Sequence, residues 1–354
     1  MPGDSAFLLV SFGGPEGRDD VMPFLRNVTA GRGVPDRRLA QVAEHYYEFG
    51  GVSPINAQCR ALLDAIEKDF ARNGIDLPLY WGNRNWTPYL TDTMRAMAAD
   101  GVKRAIAFAT SAYSSYSSCR QYLDNIDQAR AEAGAGAPAV IKIPPYYRHR
   151  GFIGSFTDAT ARALASLPAG LADRADLVFT AHSIPESMAA SSGPASVGNT
   201  YQAQLAEVAG LVAAGLGRAD WRLAYQSRSG PPSVPWLGPD VSDCIAELAK
   251  AGSQAVVVVP IGFVSDHMEV MFDLDVEAAR TARELGLLMA RAATPGIDPR
   301  FVAMISELVK DFAAGQAGQA GQELGPGARL LCRELCCGSG GDRSASSLVG
   351  GTSD

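Results

Sequence analysis

Short apolar runs rich in β-branched residues alternate along this chain with longer segments of helical periodicity. This alternation is typical of βα units, because neighbouring parallel strands need a crossover helix between them. The predicted strands lie at 6–11, 78–82, 104–110 and 139–143 in the first half, and at 176–181, 221–226, 254–260 and 286–290 in the second. The clearest helices are predicted at 53–71, 88–99, 199–214 and 241–251. The pattern therefore predicts an α/β fold with two similar halves, each containing a four-stranded parallel sheet flanked by helices.

The length of the chain, 354 residues, allows two domains of about 150 residues each and leaves a surplus. We predict an N-terminal domain over 1–160 and a C-terminal domain over 161–315, whose last helix, at 299–313, could pack back on the first domain. The remainder, 316–354, is predicted to be a flexible linker followed by a cysteine-containing tail. Its repeated glycine, glutamine and alanine are typical of flexible linkers.

Charge and hydropathy exclude several classes of partner. The formal net charge of −7 argues against nucleic acid, which favours a basic protein surface. The N-terminal stretch MPGDSAFLLVSFGG lacks the basic segment of a signal peptide. The longest apolar run, 255–264, is about half the ~20 residues that a membrane-spanning helix requires. We therefore expect a cytoplasmic protein that does not insert into membranes. We also predict a monomer, although charge and hydropathy do not bear on that point.

A dinucleotide site is the first hypothesis for such a chain, and glycines do follow the first predicted strand. However, Gly13-Gly14-Pro15-Glu16-Gly17 is not the G-x-G-x-x-G pattern, and no Walker A sequence occurs anywhere. The sequence therefore argues against a dehydrogenase or a nucleotidase.

Candidate chemistry lies where two strands of the second half end, which is where ligands bind in sheets of this kind. His182 ends one strand, and at 100° per residue Asp266, Glu269, Asp273 and Glu277 would share one face of the helix after another. The carboxylates could be an ordinary solvated helix face, and the histidine could be structural. Together they could bind a divalent metal of intermediate softness such as Fe²⁺, or accept protons.

Six motifs in series resemble those of the ferrochelatases, the enzymes that insert Fe²⁺ into a porphyrin. They are TAHSIP with His182, PIGFVSDHMEV with Glu269, GGVSPINAQ (50–58), GNRNWTPY (82–89), SAYSSYSSCRQY (111–122) and YQSRSGPPSVPWLGPD (225–240). The resemblance covers about residues 6–312. It implies two Rossmann-like, chelatase-type domains with the porphyrin cleft between them.

The resemblance also implies roles for particular residues. His182 and Glu269 match the catalytic pair that binds the substrate Fe²⁺ and accepts the pyrrole protons, whereas Asp273 and Glu277, with Asp266, would form a path for the metal or for protons. The residues expected to contact the porphyrin are Ser53, Tyr122, Phe12, Tyr46 and Arg32. Tyr122 could instead be a core aromatic. Phe12 has no donor atom, which rules out a tyrosine ligand at that position.

The segment that corresponds to the apolar lip of membrane-associated ferrochelatases is polar and basic here (26–51). Arg32, Arg37 and Arg38 could pair with additional propionates. The chain thus resembles the coproporphyrin III ferrochelatases, which would make Fe-coproporphyrin III (coproheme) in haem biosynthesis. The alternatives are a protoporphyrin IX ferrochelatase, a cobalt or nickel chelatase for another tetrapyrrole, and a non-catalytic haem or porphyrin carrier.

Three of the six cysteines, Cys332, Cys336 and Cys337, lie within six positions near the C-terminus. Resemblance to iron–sulfur ferrochelatases implies a 2Fe–2S cluster, held by these three and by Cys119. A redox-labile thiol cluster and a zinc site are the alternatives. Cys59 and Cys244 lie on apolar helical segments and are predicted to be core residues.

Overall fold

The computed structural model describes residues 3–31, 33–194, 196–230, 232–313 and 336–338. The first half contains β1 (Ser5–Ser11), α1 (Arg18–Val28), α2 (Asp36–Glu48), α3 (Ile55–Arg72), β2 (Leu79–Asn83), α4 (Leu90–Ala99), β3 (Arg104–Ala109), a first π-helical segment (Tyr116–Arg120), α5 (Gln121–Ala133) and β4 (Ala139–Lys142). The second half contains α6 (Arg150–Ala165), a 3₁₀ turn (Ala172–Arg174), β5 (Asp176–His182), α7 (Glu186–Ala190), α8 (Thr200–Gly215), β6 (Arg222–Gln226), α9 (Val241–Lys250), β7 (Ala255–Val259), α10 (Met268–Val270), a second π-helical segment (Met271–Ala278), α11 (Ala279–Glu284), β8 (Leu288–Arg291) and α12 (Pro299–Ala313).

Each half contains one four-stranded parallel sheet, with strand orders β2-β1-β3-β4 and β6-β5-β7-β8. The two orders are equivalent, so the halves repeat one Rossmann-like topology. All eight predicted strands and the predicted fold class are confirmed. In each sheet the strand order reverses beside the first strand of its half, and ligands of such sheets bind beyond the carboxyl ends at that point.

The central strands form because their side chains are buried on both faces of the sheet. All five residues of β7, AVVVV, are buried, as is typical of parallel strands covered by helices on both sides. The helices have one apolar face each. In α9 the buried residues are Val241, Cys244, Ile245 and Leu248, and the Asp240 side chain caps the helix by accepting the backbone N–H of Ser242 at 2.8 Å.

The last helix, α12, packs against α3 of the first half and against α6. The hydroxyl of Ser306 on α12 donates to the buried carboxylate of Asp69 on α3, and Lys310 donates to Asn73 at 2.8 Å. Helix α6 runs across position 160, where the domain boundary was placed from sequence; that boundary remains a prediction. The described residues contain no helix that is long and apolar enough to cross a membrane.

Helices α1 and α2 pack against each other and form a segment, residues 18–48, that we call the lip. Its apolar face makes a separate cluster whose buried members are Val21, Phe24, Leu25, Leu39, Ala43, Tyr46 and Met268. Met268 belongs to α10, in the second half. The lip therefore packs across the two halves and lies beside the helix that follows β7.

Candidate active site

His182 is the last residue of β5, and its backbone is held on both sides. The Ser183 N–H donates to the carbonyl of Gln226 at 2.8 Å, and the Tyr201 hydroxyl donates to the carbonyl of His182 at 3.0 Å. The ring Nδ1 hydrogen-bonds the carbonyl of Ser183. This contact orients the imidazole, whose Nε2 lies 3.4 Å from Oε2 of Glu269.

A close approach between two chain segments brings Glu269 to that position. The N–H of Gly262, just after β7, donates to the carbonyl of Thr180 on β5 at 3.0 Å. A Cβ at Gly262 would lie only 2.6 Å from Cβ of Ala181, so no other residue fits here without displacing β5. The chain then continues to α10, where Glu269 is the second residue.

The His182–Glu269 pair is accessible, since the two side chains are 35% and 52% exposed. Burial raises the pKa of Glu269, but the hydrogen bond and positive charge of His182 lower it more, and His267 adds to that effect, so the pKa falls to about 2. For His182, burial lowers the pKa, whereas the hydrogen bond and charge of Glu269 raise it to a net value above its usual range. The pair therefore favours a proton on the imidazole beside an ionised carboxylate.

Asp273 continues the acidic row into the second π-helical segment. Its carboxylate accepts a short hydrogen bond from the Ser227 hydroxyl and lies 3.5 Å from Nε2 of Gln226. Burial and the charges of Glu269 and Glu277 raise the pKa of Asp273, the hydrogen bond from Ser227 and the charge of His182 lower it, and the net pKa is about 7. A carboxyl group that changes charge near neutral pH thus lies between two acidic neighbours.

Asp266 does not join this row, so the expectation that four carboxylates share one helix face was wrong for this residue. The helix begins at Met268, and His267 before it is extended (φ −142°, ψ 179°), so a count of 100° per residue does not apply there. Asp266 instead accepts hydrogen bonds from Arg291 at 3.1 Å and Thr294 at 3.2 Å.

Sequence reasoning missed three groups around the pair. His267 packs against Phe263 with ring centroids 5.1 Å apart, and burial lowers its pKa while its charge acts on Glu269. The Gln226 amide lies 3.4 Å from the Glu269 carbonyl, and Ser227 has a left-handed backbone (φ 59°). All three lie inside quoted motifs, but no regular spacing distinguished them.

The residues expected to bind the porphyrin lie in the first half. Ser53 is buried against the loop that follows β1: its N–H donates to the carbonyl of Pro15 at 2.8 Å. A Cβ at Gly14 would lie 2.7 Å from Cβ of Ser53 and 2.8 Å from Cγ2 of Ile55, so Gly14 allows this loop to approach α3.

Phe12 and Tyr122 both lie next to the guanidinium group of Arg84, to which the sequence analysis assigned no role. Arg84 lies 4.6 Å from the ring centroid of Tyr122 and 5.6 Å from that of Phe12. Its Nε donates to Asn125 at 2.7 Å. Tyr122 is 4% exposed and packs in the core of the first sheet, which agrees with the alternative of a core aromatic.

Tyr46 lies in the lip, and burial, with the charge of Glu269, raises its pKa. The lip also contacts the second half through His45, whose ring stacks on that of Phe272 with centroids 3.7 Å apart and planes 6° from parallel. Because Phe272 follows Glu269 on the same helical run, the lip touches the acidic helix directly. Arg32, the remaining predicted contact, lies outside the described residues.

Comparisons with known proteins agree with this geometry. The family model for ferrochelatase matches residues 4–313. The chain belongs to the ferrochelatase family. It is 51% identical to the coproporphyrin III ferrochelatase of Streptomyces coelicolor (96% of this chain, 95% of the relative) and 54% identical to the ferrochelatase of Rhodopirellula baltica (95% and 94%). It is also 52% identical to the coproporphyrin III ferrochelatase of Nocardia farcinica (94% and 96%).

A solved structure shares the fold of this ferrochelatase-family chain at low identity. SirB from Bacillus subtilis with Fe³⁺ matches with a TM-score of 0.54 and 13% identity over 89% of this chain and 98% of SirB. At this identity the match supports the chelatase-type arrangement of two Rossmann-like domains and nothing further.

Of the four cysteines expected to hold a cluster, Cys119, Cys336 and Cys337 lie in the part of the chain that the structure describes. Cys119 is buried in the first π-helical segment, where neighbouring Ser117 approaches Sδ of Met188 on α7 at 3.9 Å. Cys59 and Cys244 are buried core residues, as predicted. Cys332 lies outside the described residues.

The described part of the tail, 336–338, lies against the loop after α7. Cys337 exchanges two hydrogen bonds with Gly193: its N–H donates to the Gly193 carbonyl at 3.1 Å, and its Sγ accepts the Gly193 N–H at 3.2 Å. Ser191 donates to the carbonyl of Gly338 at 2.8 Å. The Sγ atoms of Cys336 and Cys337 are 3.6 Å apart. Within the described ranges, no three His, Cys, Asp or Glu side chains form a group that could hold a metal ion.

Proposed function

We propose that this chain inserts Fe²⁺ into coproporphyrin III to give coproheme in haem biosynthesis. The observation that carries the proposal is the accessible His182–Glu269 pair, whose side chains are 3.4 Å apart, with His182 at the end of β5 and Glu269 on α10. The names of the relatives from Streptomyces coelicolor and Nocardia farcinica support the same substrate. A cytoplasmic, monomeric enzyme is part of the proposal.

The reaction exchanges one Fe²⁺ for the two protons of the pyrrole nitrogens. A metal ion and departing protons both favour anionic or neutral donor groups on one face of the macrocycle. His182 and Glu269 titrate as a coupled pair, and once the proton on His182 is released they supply an imidazole and a carboxylate as donor groups there. Asp273, with a pKa of about 7, can take up a proton and lose it again at the pH of the reaction. The row from Glu269 through Asp273 to Glu277 is thus proposed as the path for the metal or for protons.

The opposite face of the porphyrin is assigned to the first half. Ser53, Tyr122, Phe12 and Tyr46 are proposed to contact the macrocycle, together with Arg32. Phe12 offers only its ring, since it has no donor atom. The exposed guanidinium groups of the lip suit a substrate with four propionates rather than two.

The decisive experiment is anaerobic Fe²⁺ insertion by the full-length protein, with coproporphyrin III compared with protoporphyrin IX. We expect higher kcat/KM for coproporphyrin III. Equal or better use of protoporphyrin IX would favour the second candidate, which the relative named only ferrochelatase leaves open. His182→Ala should abolish insertion while porphyrin still binds; porphyrin binding without turnover by the wild type would instead identify a carrier.

The metal path is tested by Asp273→Asn and Glu277→Gln. Both should raise the apparent KM for Fe²⁺, because each removes a charge from the row. Asp275→Asn is the matched control, since Asp275 lies on the same helical run but pairs with Arg291 at 2.6 Å. An unchanged KM in the two path variants would rule out the path.

We further propose a resident 2Fe–2S cluster bound by Cys119, Cys332, Cys336 and Cys337. The thiols of Cys336 and Cys337 lie close enough to serve one group, and sulfur is the donor that such clusters require. Ser117, near Cys119, contacts Met188 on α7, and the tail contacts Ser191 in the loop that follows α7. Both cysteine segments therefore lie near the C-terminal end of α7. When bound, the cluster would supply a redox-active cross-link between the tail and the first half.

Anaerobic purification tests the cluster. The wild type should show visible charge-transfer absorption and about two iron atoms and two sulfides per chain. Cys119→Ser should lose both signals, whereas Cys244→Ser, which removes a core thiol, should keep them. A colourless wild type without bound iron, or full cluster content in Cys119→Ser, would contradict the assignment.

A further inference from the structure

One buried tyrosine joins the segment that holds the tail to the backbone of the catalytic histidine. Tyr201 is the second residue of α8, and its side chain is 3% exposed. Its hydroxyl donates to the carbonyl of His182 at 3.0 Å, while its own N–H donates to the hydroxyl of Ser192 at 2.9 Å. Ser192 immediately precedes Gly193, the residue that pairs with Cys337. These hydrogen bonds, with the peptide bond between Ser192 and Gly193, therefore connect the cysteine tail to His182.

The peptide unit between His182 and Ser183 is the part that this connection fixes. Its N–H donates to the Gln226 carbonyl, and its C=O accepts only one hydrogen bond from a described side chain, that of Tyr201. Because the His182 ring bonds the next carbonyl along the chain, rotation of this peptide would change the direction of the imidazole. Burial raises the pKa of Tyr201, so its hydroxyl stays a donor at any physiological pH.

The loop that contains Ser192 and Gly193, which contacts the tail, is also tightly packed. Gly193 has a left-handed backbone (φ +79°), and a Cβ there would lie 1.8 Å from Oγ1 of Thr200 at the start of α8. Ser192 is fully buried and donates to the carbonyl of Ala189. Because these contacts leave little space around Ser192 and Gly193, we expect a change at Cys337 to affect the start of α8.

We propose that Tyr201 is a positioning residue that couples attachment of the cysteine tail to the orientation of His182, so that the tail controls the rate of metal insertion. This inference rests on the proposed function for its kinetic readout. It assigns the tail a role in regulating insertion, with the chemistry left to His182 and Glu269. Linkage is reciprocal for binding, so porphyrin binding that favours one orientation of His182 is expected to affect the tail loop in turn.

The kinetic test is a double-mutant cycle in the full-length protein, with anaerobic Fe²⁺ and coproporphyrin III. Tyr201→Phe removes only the hydroxyl and keeps the ring that packs on Tyr113. We expect kcat to fall about tenfold and the porphyrin KM to stay within about twofold, since the cleft itself is unaltered. Cys337→Ala should lower kcat about threefold in the wild-type background and have no further effect in Tyr201→Phe.

Two further variants separate coupling from general damage. Ser192→Ala cuts the connection without removing any cysteine and should reproduce the effect of Cys337→Ala. Tyr146→Phe is the matched control, because Tyr146 is also a buried tyrosine that donates to a backbone carbonyl, that of Ala109 at 2.9 Å. Its effect should be small and should add to that of Cys337→Ala.

A second readout does not depend on turnover. Amide hydrogen exchange of the peptide containing Ser191, Ser192 and Gly193 should slow about fivefold when coproporphyrin III binds to the wild type without iron. The same measurement on Tyr201→Phe should show no change. Additive kinetic effects, or an exchange response that persists in Tyr201→Phe, would overturn the inference. A wild type that turns over no porphyrin would instead refute the proposed function.

Discussion

Replacing Asp273 with asparagine should stabilise the protein at pH 8, although the residue lies in the proposed metal path. Burial and the neighbouring carboxylates raise its pKa from 3.8 to about 7. Between these values the folded state holds a proton that the unfolded state has lost, so the free energy of unfolding of the wild type falls as the pH rises. Above about pH 7 the loss is complete. Asparagine cannot ionise, so the variant does not lose this part of its free energy of unfolding.

The size of the effect follows from the pKa difference. Each pKa unit corresponds to about 1.4 kcal/mol, and the native state keeps its proton for about two of the three units between pH 5 and pH 8. The limit is therefore about 3 kcal/mol, and access of water to the cleft should reduce it to about 1–2 kcal/mol. The hydrogen bond from Ser227 survives, because the asparagine Oδ1 can accept it.

Urea unfolding of both proteins at pH 5 and pH 8 measures this quantity, since other titrating groups cancel in the difference between variant and wild type. The advantage of Asp273→Asn should grow between the two pH values. The control is Asp158→Asn: Arg300, 2.7 Å away, lowers the pKa of Asp158, which therefore stays ionised over this range. A difference for Asp273→Asn that does not change with pH would refute the reasoning.

Two other substitutions have effects that follow from packing. Ser306→Ala should lower the free energy of unfolding by about 1–3 kcal/mol, because buried Asp69 loses a hydrogen-bond donor; urea titration tests this, and unchanged stability would contradict it. Gly14→Ala should raise the porphyrin KM, because its methyl group would lie 2.7 Å from Cβ of Ser53. Gly17→Ala is the control: no atom lies within 4 Å of the new methyl group, so KM should stay unchanged. Equal KM values for both variants would count against Ser53 as a porphyrin contact.

Sequence analysis could predict the site residues that lie near the ends of regular secondary-structure elements. His182 and Glu269 follow predicted strands within recognisable motifs, and the structure brings their side chains to 3.4 Å. Asp266 failed because the prediction assumed that an α-helix began before it. The chain is extended at His267, and the helix that follows begins at Met268 and becomes π-helical at Met271, so a count of 100° per residue fails there.

The sequence by itself determined the order of strands and helices, the repetition of two equivalent halves and the family, because periodicity and local motifs are properties of neighbours along the chain. Only the tertiary structure decided which distant groups share a site. Tyr201 contacts the carbonyl of a residue 19 positions away, and Cys337 pairs with one 144 positions away. Such contacts form when packed elements bring buried polar groups within bonding distance, and no spacing in the sequence encodes that distance.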